Sequence, residues 1–319
     1  MTHAKAIDVA GAARAIAQAA TVTIVTHIRP DADAIGSACA LAAALEKNGQ
    51  RVHVVIGENG SIPENLRCIP GSSSIVFTGE LPDADLIVTV DCASLDRTGA
   101  LAPAIDTVKD HVLVIDHHVT NPGFGGMNLI ANAESTTTIL YDIIGELGIE
   151  LDNTIAYCLY AGLLTDTGSF RWGTPHMHTL AAKLMEYGLD TRQISTDLMD
   201  AVTAEDLQHL GTVLSQIQVK EAHGLKLAVL VARDEHLSHM TQQAIEVLID
   251  YVRVLIGTDV GVVFKEIAPE HWSVSLRSIA IDVSQVAGRL GGGGHKPAAG
   301  YSTSGAPEAV VDELIGVLA

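Results

Sequence analysis

Basic residues are scarce in this chain: 19 lysines and arginines stand against 38 aspartates and glutamates, a formal net charge of −19. Long duplex nucleic acids are held through a broad cationic surface, so they are excluded as partners. Small anionic substrates stay open if metals or arginines offset the repulsion locally. Cysteine is equally sparse, and Cys39, Cys68, Cys92 and Cys158 show no C-x-x-C spacing. That excludes a disulfide framework or thiolate zinc site and fits a reducing cytoplasm. No window approaches the roughly 18 uninterrupted apolar residues of a membrane span. Nor does the N-terminus pair a basic region with an apolar core. The expectation is a soluble cytoplasmic protein with no membrane partner.

What is abundant is apolar sequence. At 319 residues and 48% hydrophobic content, two cores can be filled. Residues 6–20 are alanine-rich and read as a short helix. Strands are expected at Val22–Thr26, Arg51–Ile56, Leu86–Val90 and Val112–Ile115, nearly continuous runs of the kind that suit a parallel sheet covered on both faces. Helices are expected at Ile35–Lys47, stopped by Asn48-Gly49, and at Thr136–Leu147, Asn153–Leu164 and His176–Tyr187. Alternating strands and helices predict an α/β, doubly wound domain over residues 1–187. Residues 188–217 are expected to be a helical linker. Residues 218–319 then read as a smaller mixed α/β domain. Its elements are a hairpin around Ala222-His223-Gly224, a helix at Gln242–Ile256, strands at Val260–Glu266 and Trp272–Arg277, and a helix at Pro307–Leu318.

Chemistry-bearing residues cluster after the apolar runs. Val112–Ile115 delivers Asp116-His117-His118 to a turn forced by Pro122 and Gly123. Val22–Thr26 is followed by His27-Ile-Arg-Pro-Asp31-Ala-Asp33, and Leu86–Val90 by Asp91. Open α/β sheets bind ligands beyond the carboxyl ends of their strands. Imidazole mixed with carboxylate suits Mn²⁺ or Fe²⁺, whereas an all-oxygen set leans to Mg²⁺ or Ca²⁺. Taken singly, each group has a plainer explanation: Asp33 sits near an N-cap position, and Asp91 and Asp166 can be turn formers. Four such turns on one scaffold are harder to attribute to capping, because converging carboxylates repel unless cations neutralise them. The set reads as a two-metal phosphoesterase site.

A second cluster is Gly291-Gly-Gly-Gly-His295-Lys-Pro-Ala-Ala-Gly300. It matches neither a P-loop nor a dinucleotide-binding turn. A bare glycine run is usually a flexible loop, but His295 and Lys296 beside it favour an anion nest of backbone N–H groups. On the preceding strand Trp272, Val274 and Leu276 alternate with Ser273, Ser275 and Arg277, so Arg277 lies on the polar face, where it could reach the same anion. His53, His111, His176, His178, His209 and His223 have no companion set in the sequence and read as surface or structural residues.

With these motifs in this order, the chain resembles the DHH/DHHA1 phosphoesterase family over nearly its whole length, in particular its branch of oligoribonucleases and pAp phosphatases. The carriers are His27–Ser37, Val90–Ser94, Asp116–His118, Asp166–Phe170 and Gly291–Gly300. The aromatic usual before the glycine run is Leu290 here. The resemblance implies an active site in the cleft between the domains. It implies two Mn²⁺, or Mg²⁺ or another divalent metal, one on His27, Asp31 and Asp91, the other on Asp33, Asp91, His117 and Asp166. It also implies Asp91 as the bridge, Asp116 orienting a ligand, and His118 on the scissile phosphate. Arg277, Ser278 and Gly292, Gly293, Gly294 and His295 would grip the substrate. Implied substrates are short RNA or DNA oligonucleotides and pAp, with pApA or cyclic-di-AMP as the alternative. The implied protein is a monomer or homodimer. A nucleotide sensor without catalysis is the competing class.

Overall fold

The computed structural model describes residues 5–200 and 202–318, which form two compact units dividing at Asp200/Ala201. The first unit runs β1 (Lys5–Ala6), α1 (Val9–Ala17), β2 (Thr21–Thr26), α2 (Ala32–Lys47), β3 (Arg51–Ile56), β4 (Val76–Phe77), β5 (Leu86–Val90), α3 (Ala102–Thr107), β6 (Val112–Asp116) and β7 (Met127–Ile130). Helices α4 (Thr136–Glu146), α5 (Asn153–Asp166), α6 (Pro175–Met185) and α7 (Thr191–Met199) complete it. Its seven strands are ordered β1-β7-β6-β5-β2-β3-β4, and every pair is parallel.

Alternation along β6 shows why the central strands read as unbroken apolar runs. Leu113 and Ile115 pack into the large core with α1, α2, α4 and α5, while Val112 and Val114 face a smaller cluster with Leu101 and Ile105 around α3. Both faces of the sheet are therefore covered, as a doubly wound domain requires. The chain leaves β2 toward β3 and β4 on one side and returns through β5, β6 and β7 on the other. The order thus reverses between β2 and β5.

Three short strands of the first unit, β1, β4 and β7, went unrecognised because two to four residues leave too little periodicity. The expected helix over residues 6–20 is shorter. The Asp8 side chain accepts from the Gly11 N–H and starts α1 at Val9, while Lys5–Ala6 pairs with β7. The stretch expected as a linker holds α7, which belongs to the first unit, and a further helix that belongs to the second.

That helix is α8 (Ala204–Leu214), followed by β8 (Gln218–Ala222), β9 (Leu225–Ala232), α9 (Asp234–Leu237), α10 (Gln242–Glu246), α11 (Leu248–Arg253), β10 (Val260–Ala268), β11 (His271–Ser278), α12 (Val283–Arg289), β12 (Gly293–His295), β13 (Ala298–Ser304) and α13 (Pro307–Val317). Six strands form one mixed sheet, β12-β13-β11-β10-β9-β8, in which β9 and β10 are the parallel pair. Leu227 and Val229 pack with α12 and α13, Ala228 and Leu230 with α8, α10 and α11. The β8–β9 hairpin turns on His223 and Gly224, both at positive φ (52° and 78°) as a type I′ turn demands. The helix expected over Gln242–Ile256 splits at Val247 and stops at Arg253.

Candidate metal centre

The carboxyl ends of β2, β5 and β6 lie side by side where the strand order reverses. They carry His27, Asp91 and Asp116-His117-His118. Asp91 sits at the middle of the three. Its backbone is left-handed (φ 58°), a conformation that aspartate tolerates better than most residues. The Asp91 N–H donates to the Ile115 carbonyl at 3.1 Å, and the Thr136 hydroxyl donates to Oδ1 at 3.0 Å. The carboxylate is 2% exposed.

Helix α2 supplies two more carboxylates. Asp31, rather than Asp33, is its N-cap, with Oδ1 accepting from the Asp33 and Ala34 N–H groups at 3.1 and 3.0 Å. Asp33 lies inside the first turn, and its carboxylate accepts from the Thr136 and Thr137 N–H groups at 2.7 and 3.0 Å. It therefore caps α4, a helix over a hundred residues away, whose N-terminal dipole favours the negative charge. Asp166, which lies beyond the helix expected over Asn153–Leu164, is the last residue of α5 instead of a turn former. The convergence of Asp33 and Asp166 depends on how closely α2 and α5 pack. A Cβ on Gly36 would meet the Cys158 carbonyl at 2.5 Å, and one on Gly162 would meet Asp33 Oδ1 at 2.4 Å.

His117 Nε2 faces Asp166 at 3.1 Å, Asp91 at 3.5 Å and Asp33 at 3.8 Å. Its Nδ1 lies 3.3 Å from the Ala133 carbonyl, which orients the ring with Nε2 toward the carboxylates. His27 Nε2 is 3.5 Å from Asp91 and 3.7 Å from Asp31. Its Nδ1 is held between the Ile28 carbonyl at 2.9 Å and Arg97 Nη2 at 3.0 Å. His118 Nδ1 pairs with Asp116 Oδ1 at 2.8 Å, and Asn121 donates to the other oxygen of Asp116 at 2.7 Å and to the Cys92 carbonyl at 2.9 Å. Asp116 is wholly buried and positions His118.

Charge balance distinguishes this cluster from ordinary capping. Burial, reinforced by the neighbouring Asp91 and Asp166 charges, pushes the Asp33 carboxyl well above its usual range. Burial likewise raises Asp166, only partly offset by His117. For His27, burial opposes the charge, but Asp31 and Asp91 outweigh it and raise the imidazole to about 10. His117 is raised well above its ordinary value in the same way, chiefly by Asp166 against burial. Such groups compete for protons that a bound cation would replace.

The donors fit that cation. His27, Asp31 and Asp91 present ligand atoms within 4.8 Å of one another, and so do Asp33, Asp91 and His117. Ligands at about 2.1 Å and right angles lie about 3 Å apart, close to the 3.1–3.8 Å separations here. Asp91 belongs to both sets. Mixed imidazole and carboxylate donors suit divalent first-row ions.

The glycine run of the second unit differs in conformation from the loop expected. Gly293–His295 is strand β12, paired antiparallel with β13, rather than an open loop. A Cβ on Gly292 would strike the Gly300 carbonyl at 2.1 Å, and Gly294 (φ 137°) would strike the Ala298 carbonyl at 2.6 Å. These two glycines are required by the close approach of their own sheet. The Ser278 hydroxyl donates to the Asp259 carbonyl and accepts from the Ala280 and Ile281 N–H groups, a turn-forming role. Arg277 Nη1 donates to the Leu276 carbonyl at 3.0 Å, and His295 is half-buried on β12. Sequence reasoning missed Thr136, Thr137, Asn121, Arg97, Gly36 and Gly162. The run Ser135-Thr-Thr-Thr138 ahead of an apolar helix was the one available signal, since it marks an N-terminus rich in donors.

Residues 21–163 match the DHH family, N-terminal domain, and residues 224–318 the DHHA1 domain. The chain belongs to the DHH family of phosphoester hydrolases. It is 31% identical over 289 residues to the bifunctional oligoribonuclease and PAP phosphatase NrnA of Thermus thermophilus, spanning 89% of this chain and 84% of that protein. Its fold is shared with an exopolyphosphatase-related protein from Bacteroides fragilis, with a TM-score of 0.84 at 22% identity over 97% of this chain and 95% of that one. It is also shared with RecJ from Thermus thermophilus in complex with Mn²⁺, with a TM-score of 0.54 at 15% identity over 97% of this chain and 53% of that one. Among the described residues no helix is long and apolar enough to cross a membrane.

Proposed function

We propose that the protein is a manganese-dependent phosphoesterase that hydrolyses short oligoribonucleotides to nucleoside 5′-monophosphates and pAp to AMP. The observation that carries this reading is the sharing of Asp91 between two donor sets, His27/Asp31/Asp91 and Asp33/Asp91/His117, the latter extended by Asp166 at 3.1 Å from His117. The 31% identity to an oligoribonuclease and PAP phosphatase supports the substrate class. The Mn²⁺ complex of a RecJ protein with the same fold supports the metal.

Two divalent cations on these donors would supply the charge that neutralises phosphate oxygens and acidifies water. The chain's own groups do the rest. Asp116 fixes His118 through Nδ1, which leaves Nε2 to donate to a non-bridging oxygen of the scissile phosphate as charge builds there. Burial opposes protonation of His118, but the Asp116 carboxylate outweighs it and raises the imidazole above its ordinary value, which favours the charged ring that donates through Nε2. Asp91, locked by Thr136 and by its own backbone, keeps both donor sets in register. Water attacks phosphorus, the bond to the 3′-oxygen breaks, and a proton goes to that leaving oxygen. In the second unit, Arg277 and His295 are assigned to anion recognition.

The test incubates the protein with Mn²⁺ and pAp, pApA, a five-nucleotide RNA or cyclic-di-AMP, following release of AMP or phosphate. Fast cleavage of pAp and the short RNA is expected. Preference for pApA or cyclic-di-AMP would move the same site to second-messenger turnover, and silence on all four would overturn the proposal. Arg277→Ala should raise KM with bound manganese unchanged.

A further inference from the structure

His209 has companions after all. It lies one turn beyond Glu205 on α8, so both project from one face. Its ring stacks on that of His239, with centroids 5.2 Å apart and planes 13° from parallel, and the His236 ring lies 6.1 Å from it, tilted by 51°. The ligand atoms of Glu205, His209 and His239 all fall within 4.8 Å of one another.

The backbone under these side chains is anchored in the core. Leu210, Leu237 and Met240, each next in sequence to one of the three histidines, are buried together in the core between α8 and the sheet. The segment carrying His236 and His239 is tied to α8 a second time through Asp206, which accepts from the Thr241 N–H at 2.7 Å. The imidazoles are therefore brought together by the fold, on two segments about thirty residues apart.

We propose that Glu205, His209 and His239 form a transition-metal site of zinc type on the second unit, separate from the acid-rich centre of the first. Two imidazoles and one carboxylate make a set that binds Zn²⁺ with a position left for water or a further ligand. Tetrahedral ligands at about 2.0–2.1 Å stand roughly 3.3 Å apart. Under the 4.8 Å bound the donors have at most about 1.5 Å to close, which the exposed side chains of Glu205 and His239 can do by rotation. Bound zinc would clip α8 to the segment after α9. The donor balance also separates this site from the first, where carboxylates outnumber imidazoles and harder ions are favoured.

Zinc also enters acid-rich sites, so the test reads a difference. Chelator-stripped full-length protein is dialysed against micromolar free Zn²⁺, and bound metal is counted for wild type, His209→Ala, His239→Ala and Asp91→Asn. Wild type is expected to hold one equivalent more than either histidine variant. Asp91→Asn should keep that equivalent, and Glu205→Gln should weaken it about tenfold. Both histidine variants should hydrolyse pAp with Mn²⁺ at the wild-type rate. Equal zinc counts in wild type and the two histidine variants would overturn the proposal. His239, exposed on a short connection, provides a variant whose folding is not in question.

Discussion

Asp91→Asn separates the charge of the central carboxylate from its shape. Asparagine adopts the left-handed backbone as readily as aspartate, and its Oδ1 can still accept from Thr136. What it loses is the negative charge within 3.5–3.7 Å of the ring nitrogens of His27, His117 and His118. A unit charge pair at 4 Å is worth about 4 kcal/mol at an effective dielectric of about 20, and Asp91 serves two cation sites. Loss of that charge should lower kcat/KM for pAp by at least about a thousandfold, since each tenfold is about 1.4 kcal/mol. Equilibrium dialysis should show the Mn²⁺ stoichiometry falling with it. Asp91→Ala should be equally inactive but less stable. It adds about 1–2 kcal/mol of backbone strain and leaves the Thr136 hydroxyl without its partner, about another 1 kcal/mol. For a unit of this size that places its Tm roughly 5–10 °C below that of Asp91→Asn. Retention of more than a tenth of wild-type activity by Asp91→Asn, or manganese binding at unchanged stoichiometry, would refute a bridging role for this carboxylate.

Further outcomes follow from single contacts. Gly162→Ala drives a methyl group into Asp33 and Thr137, so bound manganese and activity should both fall at least tenfold while the far-UV spectrum keeps its helical signal. Gly292→Ala collides with the Gly300 carbonyl and should destabilise the second unit by about 2 kcal/mol or more, read as earlier protease cleavage there. Asp206 accepts from Thr203 N–H and hydroxyl and from Thr241 N–H and hydroxyl. Asp206→Ala should therefore cost about 2–4 kcal/mol in denaturant melts. Burial acts to raise the Asp206 carboxyl, but these hydrogen bonds hold it below the usual range. Its stabilisation is thus complete above the unfolded value near 4 and is lost as pH falls through the lower folded value. Wild type should lose stability in that window, and Asp206→Ala should show a flatter acid limb.

Local sequence determined the central strands β2, β5 and β6, because an apolar run buried on both faces is a one-dimensional signal, and it placed His27, Asp91, Asp116, His117 and His118 at their carboxyl ends. The hairpin at His223-Gly224 and the alternating face of β11 were legible for the same reason. Tertiary structure alone decided which acids do what. Asp31 rather than Asp33 caps α2 because Asp33 is turned to the N-terminus of α4, a partner set by how α2 packs on α5. That packing rests on Gly36 and Gly162, whose role is invisible until the opposing backbone is in place. The glycine run has the composition of a loop, yet its end pairs with β13 as a strand, and Gly292 and Gly294 lie where a Cβ would strike the Gly300 and Ala298 carbonyls. His209 gains its companions by the same rule. Contacts between residues far apart in the chain leave no local periodicity to read, and they are made by packing.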